Sequence, residues 1–210
     1  ASVAVVDAAV TTGCIDVMLN LQASGASQRL PEFSELEWSD FEAILTPHVS
    51  GVQALLLQQQ AADGISPDDL RRVLVALRKV RDYVIVDTWA VLDENTLTVL
   101  DLADRVLLVL TPEITALRGA KVFLERASAL GLARERVVPI LNRYPQRGGL
   151  QRRDIENAMG VAAQLTIPDD VKLVTYSVNR GVPLVESHER SSVARQMGAL
   201  ARGLAKMARQ

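Results

Sequence analysis

The sequence holds 210 residues, 49% hydrophobic and 23% charged, with a formal net charge of -2. That length and balance suit one large globular domain and exclude a disordered or collagen-like chain. The small net charge gives no field strong enough to argue for nucleic acid, though charge can still cluster locally, and a single cysteine, Cys14, leaves no internal disulfide and fits a reducing, cytoplasmic setting. No run approaches the roughly 18 apolar residues of a transmembrane segment, and no basic stretch followed by an apolar core opens the chain.

In chain order, Ser2 to Asp7 (SVAVVD) is a β-branched run closed by a carboxylate and reads as a buried parallel strand. Because the chain opens directly on this strand, we expect further protein upstream. Residues 20–50 are irregular and Ser-rich, with Phe33, Trp38 and Phe41 as their aromatics. Val52 to Leu57 is a weaker strand candidate. Ser66-Pro67-Asp68-Asp69 supplies an N-cap serine, a first-turn proline and an acid at the third helical position, ahead of Leu70, Val73, Leu74 and Leu77. That pattern predicts a helix.

Tyr83 to Asp87 (YVIVD) repeats the carboxylate-ended pattern and likewise reads as a buried parallel strand. Three-to-four spacing of apolar residues predicts helices over Asp93 to Ala103, Thr115 to Leu130, Leu150 to Met159 and Ser191 to Ala208. Between them, Arg105 to Leu110 and Val137 to Leu141 read as strands covered on both faces, with Gln164 to Ile167 a weaker one. The last helix carries Val193, Met197, Leu200, Leu204 and Met207 on one stripe, which points to packing against the sheet rather than to a membrane surface. We find no internal repeat and no interdomain linker.

Strands alternating with helices of this length imply right-handed βαβ units, hence an α/β fold with a mostly parallel sheet flanked by helices. Such sheets bind ligands beyond the carboxyl ends of their strands, where Asp7, Asp87, Thr111 and Asn142 all fall. An aspartate in that place holds Mg²⁺ beside a triphosphate in some proteins and caps the next turn in others. For Asp87 both readings stand at this level.

The segments VVD at the start, VIVD at 84–87, LLVLTPEITALRGA at 107–120, LNRY at 141–144, IPDD at 167–170 and NRGVPLVE at 179–186 together resemble the MinD/ParA family of P-loop ATPases. The likeness runs over essentially the whole chain and is nearest to the CpaE/TadZ branch. It implies a nucleotide-dependent dimer that acts as a spatial marker. It also implies ATP and Mg²⁺ as cofactors, partners in the pilus, secretion or cell-pole machinery, and a polar or inner-membrane-peripheral location reached through those partners. In that family Asp87 matches the magnesium carboxylate, Asp7 the first aspartate of a pair, Asn142 with Arg143 the segment facing the adenine base, and Pro168 to Asp170 a loop bordering the nucleotide. Asn142 has both donor and acceptor atoms, so base pairing and holding of the Tyr144-Pro145 turn are equally open.

Three departures qualify the likeness. The family's glycine-rich loop with its lysine is not in this sequence, so we expect residues 1–210 to be a single MinD/ParA-like domain whose first strand, phosphate loop and first helix lie ahead of residue 1, with an upstream domain beyond. Ala9 stands where relatives carry a second aspartate, and a methyl group neither accepts a proton nor orients water, so slow or lost hydrolysis is implied. Trp89 also replaces a proline just after the magnesium carboxylate. A septum-site or cell-division regulator is the alternative role, as is an active ATPase with its phosphate loop upstream. Cys14 is expected in the core, His48 and His188 at the surface, and Arg147, Arg152 and Arg153 in a small basic patch.

Overall fold

The computed structural model describes residues 1–9, 13–21, 44–57, 65–89 and 91–207. Phe33, Trp38 and Phe41 and the last three residues lie outside that set. The chain divides into two compact units, Ala1–Ala103 and Asp104–Gln210, and each has its own sheet.

In the first unit the described elements are β1 (Val3–Asp7), α1 (Ile15–Met18), β2 (Thr46–Pro47), β3 (Gln53–Leu56), α2 (Pro67–Val80), β4 (Tyr83–Asp87) and α3 (Glu94–Leu102). The strand order is β2-β3-β1-β4. β1 runs parallel to β3 and β4, while β2 is antiparallel to β3. The Ser66 cap forms as its sequence predicts: its side chain accepts the Asp69 N–H at 3.1 Å. Leu70, Val73, Leu74 and Leu77 of α2 then bury against Ala4, Val6 and Leu55, with Val99 of α3 in the same cluster. Each such leucine contributes about 2 kcal/mol by leaving water. On the opposite sheet face Ile15 packs with Ala54 and Leu56.

The second unit contains β5 (Val106–Leu110), α4 (Ile114–Ala129), β6 (Val137–Leu141), α5 (Arg152–Met159), β7 (Leu165–Thr166), α6 (Val171–Arg180), α7 (Leu184–Ser187) and α8 (Ser192–Met207). Its strands run parallel in the order β5-β6-β7. β6 is buried throughout and serves two cores by its period of two. Val137 and Leu141 join Leu117, Leu124 and Ile155, whereas Ile140 joins Ile167 and Val193. Within the α8 stripe Val193 is buried and Leu200 packs beside it, but Met197 is 38% exposed.

Several expectations are corrected. Coverage on both faces holds for β6 but fails for β4 and β5, where Ile85 is 52%, Leu107 38% and Val109 55% exposed. Each is the terminal strand of its sheet among the described residues. The helices pack on the face carrying Val84 and Val86, or Val106 and Leu108. An unbroken apolar run says that a strand suits burial; only pairing decides whether it becomes an edge. Cys14 is exposed rather than buried, at the head of the single-turn α1, whose Ile15 points inward in its place. Arg152 is not a free member of a basic patch, since it pairs with Glu156 at 2.8 Å and donates to the Ala163 carbonyl at 2.7 Å.

The spacing of apolar residues did not reveal α1, α6 or α7, nor the two-residue β2. Among the described residues no helix is long and apolar enough to cross a membrane.

Candidate functional site

Both carboxylate-ended strands of the first unit finish side by side. In the parallel register Asp7 is the direct neighbour of Asp87, so the two side chains leave the same face of the sheet at its carboxyl edge. Their surroundings differ. Asp7 is fully buried, and its Oδ1 accepts the Ala9 N–H at 3.3 Å while Oδ2 accepts the Ile15 N–H at 3.1 Å. Asp7 thus holds described residues on both sides of 10–12, and Gly13 N–H donates to the Ala9 carbonyl at 2.7 Å. Gly13 lies hard against it: a Cβ there would stand 2.5 Å from Oδ2 and 2.6 Å from Oδ1.

Asp87 is exposed, and Trp89, just beyond it, is 38% exposed. The Asp87 carboxyl is pushed above its ordinary range first by partial burial and then by the negative charge of Asp7. A folded-state pKa raised above the unfolded one means that this group stabilises the fold below the unfolded pKa. That contribution is lost as pH rises through the folded value. Asp87→Asn is therefore expected to raise the melting temperature at pH 7, with the gap to wild type closing as pH falls toward 4. Thermal unfolding across that range checks it, and a variant less stable at pH 7 would contradict the assignment. A cation would relieve the same cost, so Asp87 suits Mg²⁺. Among the described residues no group of three or more His, Cys, Asp or Glu gathers as a ready-made metal cage.

In the second unit the loops after β5, β6 and β7 are tied together. Asn142 N–H donates to the Leu110 carbonyl at 2.9 Å and Tyr144 N–H to the Ile167 carbonyl at 2.8 Å. Asn142, Arg143 and Pro168 are thereby gathered at one sheet end. Arg143 has φ 55, rare for a residue other than glycine, and the Asn142 Oδ1 accepts its N–H at 3.0 Å. Asn142 thus holds the turn with its oxygen, while its NH₂ group remains a donor type suited to a base edge. The Tyr144 hydroxyl accepts the Arg152 N–H at 3.1 Å, which anchors the turn to the start of α5. Asp170 caps α6 by accepting the Leu173 N–H at 3.1 Å, and the Thr111 hydroxyl donates to the Glu113 carboxylate.

Gly13 and Gly149, which shape these two loop systems, were not singled out from the sequence. A glycine needed for contact rather than for φ leaves no local signal.

No known protein family's profile matches the chain. The septum site-determining protein MinD of Thermotoga maritima is 29% identical over 143 residues, which is 66% of this chain and 52% of that protein. The chain thus spans about half the length of the curated relative it matches. Among solved structures, a ParA family ATPase from Chlorobium tepidum has a TM-score of 0.83 at 22% identity, covering 95% of this chain and 85% of that one. MinD from Pyrococcus horikoshii, solved with Mg-ADP, has a TM-score of 0.77 at 23% identity, covering 99% and 84%. At such identities the likeness speaks for architecture. This chain has the α/β fold of the MinD/ParA P-loop ATPases, with mostly parallel strands flanked by helices.

Proposed function

We propose that the protein is a MinD/ParA-like positioning or scaffolding factor that works as a homodimer, binds ATP with Mg²⁺, and hydrolyses it slowly or not at all. The observation that carries this reading is the Asp7–Asp87 pair with Ala9 beside it. Asp87 is the magnesium carboxylate. Asp7, fully buried, acts from behind by fixing the loop that holds Ala9. Ala9 brings only a methyl group to the place where a hydrolytic enzyme needs a proton acceptor.

Asn142, Arg143 and Pro168 face the base. A strand, a glycine-rich phosphate loop and a helix ahead of residue 1 complete the nucleotide site of a single MinD/ParA-like domain. Among the described residues β4 ends its sheet, and the exposure of its Ile85 supports that part of the reading.

The machinery served is that of the tight-adherence type IV pilus at a cell pole, reached from the cytoplasm through partners. The resemblance of the segments quoted above to the CpaE/TadZ branch supports it. A septum-site role is the second reading, favoured by the similarity to the Thermotoga maritima protein.

Calorimetric titration of the full-length protein with Mg-ATP, coupled to a phosphate-release assay, tests the proposal. The expected result is magnesium-dependent binding with little release, weakened in Asp87→Ala by roughly tenfold or more, about 1.4 kcal/mol. Rapid release would overturn the role given to Ala9, and absence of binding would leave a scaffold without a nucleotide switch.

A further inference from the structure

We infer that Gly149 positions the Asn142–Arg143 turn through its contact with Pro112, and that it thereby sets how well this turn tells one nucleobase from another. The second half rests on the reading of the turn as base-facing.

The start of the turn is fixed by the bonds from Asn142 and Tyr144 to the ends of β5 and the β7 segment. Its far end is closed by a different device. Leu150 N–H donates to the Pro112 carbonyl at 2.7 Å, and Gly149 N–H donates to the Gln146 carbonyl at 3.0 Å. Between these bonds the Gly149 α-carbon lies against Pro112. A Cβ there would stand 3.1 Å from both the Cγ and the carbonyl oxygen of Pro112, and 3.2 Å from the Gln146 carbonyl oxygen.

None of those atoms sits at the free end of a flexible side chain. Pro112 is fully buried with its ring closed on the backbone, and its carbonyl oxygen already accepts the Leu150 N–H, so neither contact can swing away as a flexible side chain would. The exposed side of the contact is the loop, with Arg143, Pro145, Arg147 and Gly148 all open to solvent. An added methyl group is therefore accommodated by movement of the loop, and Asn142 and Arg143 move with it.

The neighbouring glycine supplies the control. Gly148 has φ 77 and nothing within 4 Å of a Cβ built on it, whereas Gly149 is not among the positive-φ glycines. Alanine at 148 strains the backbone of the same loop without touching Pro112. Alanine at 149 meets Pro112 with no such torsional cost. A general loss of loop stability is common to both variants, but displacement of the turn belongs to the second alone.

The test compares Gly149→Ala and Gly148→Ala in two measurements. In amide spectra of the ligand-free protein, Gly149→Ala is expected to shift the Asn142, Arg143 and Tyr144 resonances and to speed exchange at Tyr144, while Gly148→Ala leaves them in place. In competition between Mg-ATP and Mg-GTP, Gly149→Ala is expected to lower the base preference roughly tenfold, with affinity for inorganic tripolyphosphate unchanged.

Unmoved resonances in Gly149→Ala overturn the inference, as does an unchanged preference in a protein whose wild type has one. A wild type with no base preference removes the base-facing reading and the second half with it, and the resonances then decide whether Gly149 positions the turn. Should Gly149→Ala fold poorly, Pro112→Ala is the second variant: removing the ring loosens the same contact and is expected to move the same resonances.

Discussion

Replacing Gly13 with alanine is expected to destabilise the protein by about 3 kcal/mol, the sum of an overpacking cost and a weakened hydrogen bond to a buried charge. The new methyl group would fall 2.5 to 2.7 Å from all three atoms of the Asp7 carboxyl group. That carboxylate has nowhere to turn. It is fully buried and held by the Ala9 and Ile15 N–H groups, and rotating it away leaves both donors and a buried charge unpaired. The measurement is a urea titration of wild type and variant, with hydrogen exchange at the Ile15 amide as the local readout. An unchanged midpoint with Ile15 still protected would show that Asp7 does not hold this loop.

Leu141→Ala carries a comparable expected loss, about 3 kcal/mol, from a different cause. Leu141 is fully buried and ends a strand that is buried along its whole length. Leu110 and Thr166 are its cross-strand neighbours, and Leu117, Leu124 and Ile155 lie in the same cluster. A cavity there has close-packed walls that collapse little. The residue also sits directly before Asn142, so the turn should loosen with the core beneath it. Denaturant unfolding is expected to show a lower midpoint at an unchanged m-value. A loss below about 1 kcal/mol would mean that the surroundings of β6 repack freely.

These two positions differ in how far they could be read beforehand. Leu141 was legible: an apolar run bounded by turn residues predicts a buried strand, and Val137–Leu141 forms as one. The same reasoning found β1, β4, β5 and the Ser66-capped α2. It failed at α6, where Val171, Val174, Thr175 and Val178 are β-branched and weakly helical by themselves. The Asp170 cap and the burial of Ser177 against its neighbours override that propensity. Gly13 follows the first strand by a few residues, and nothing in its neighbours along the chain marks it as indispensable.

The sequence by itself determined the alternation of strands and helices, the α/β class, and the placing of Asp7, Asp87 and Asn142 at strand ends, because all of these follow from local periodicity and run length. Only the tertiary structure decided that Asp7 and Asp87 are lateral neighbours, that Asp7 faces inward to hold its neighbouring amides while Asp87 stays open, that a methyl group at Gly13 would clash with Asp7, and that one at Gly149 would press on Pro112. It also decided that β4 and β5 stand last in their sheets among the described residues. Those facts depend on strand register and on contacts between residues far apart along the chain, and no local pattern encodes either of them.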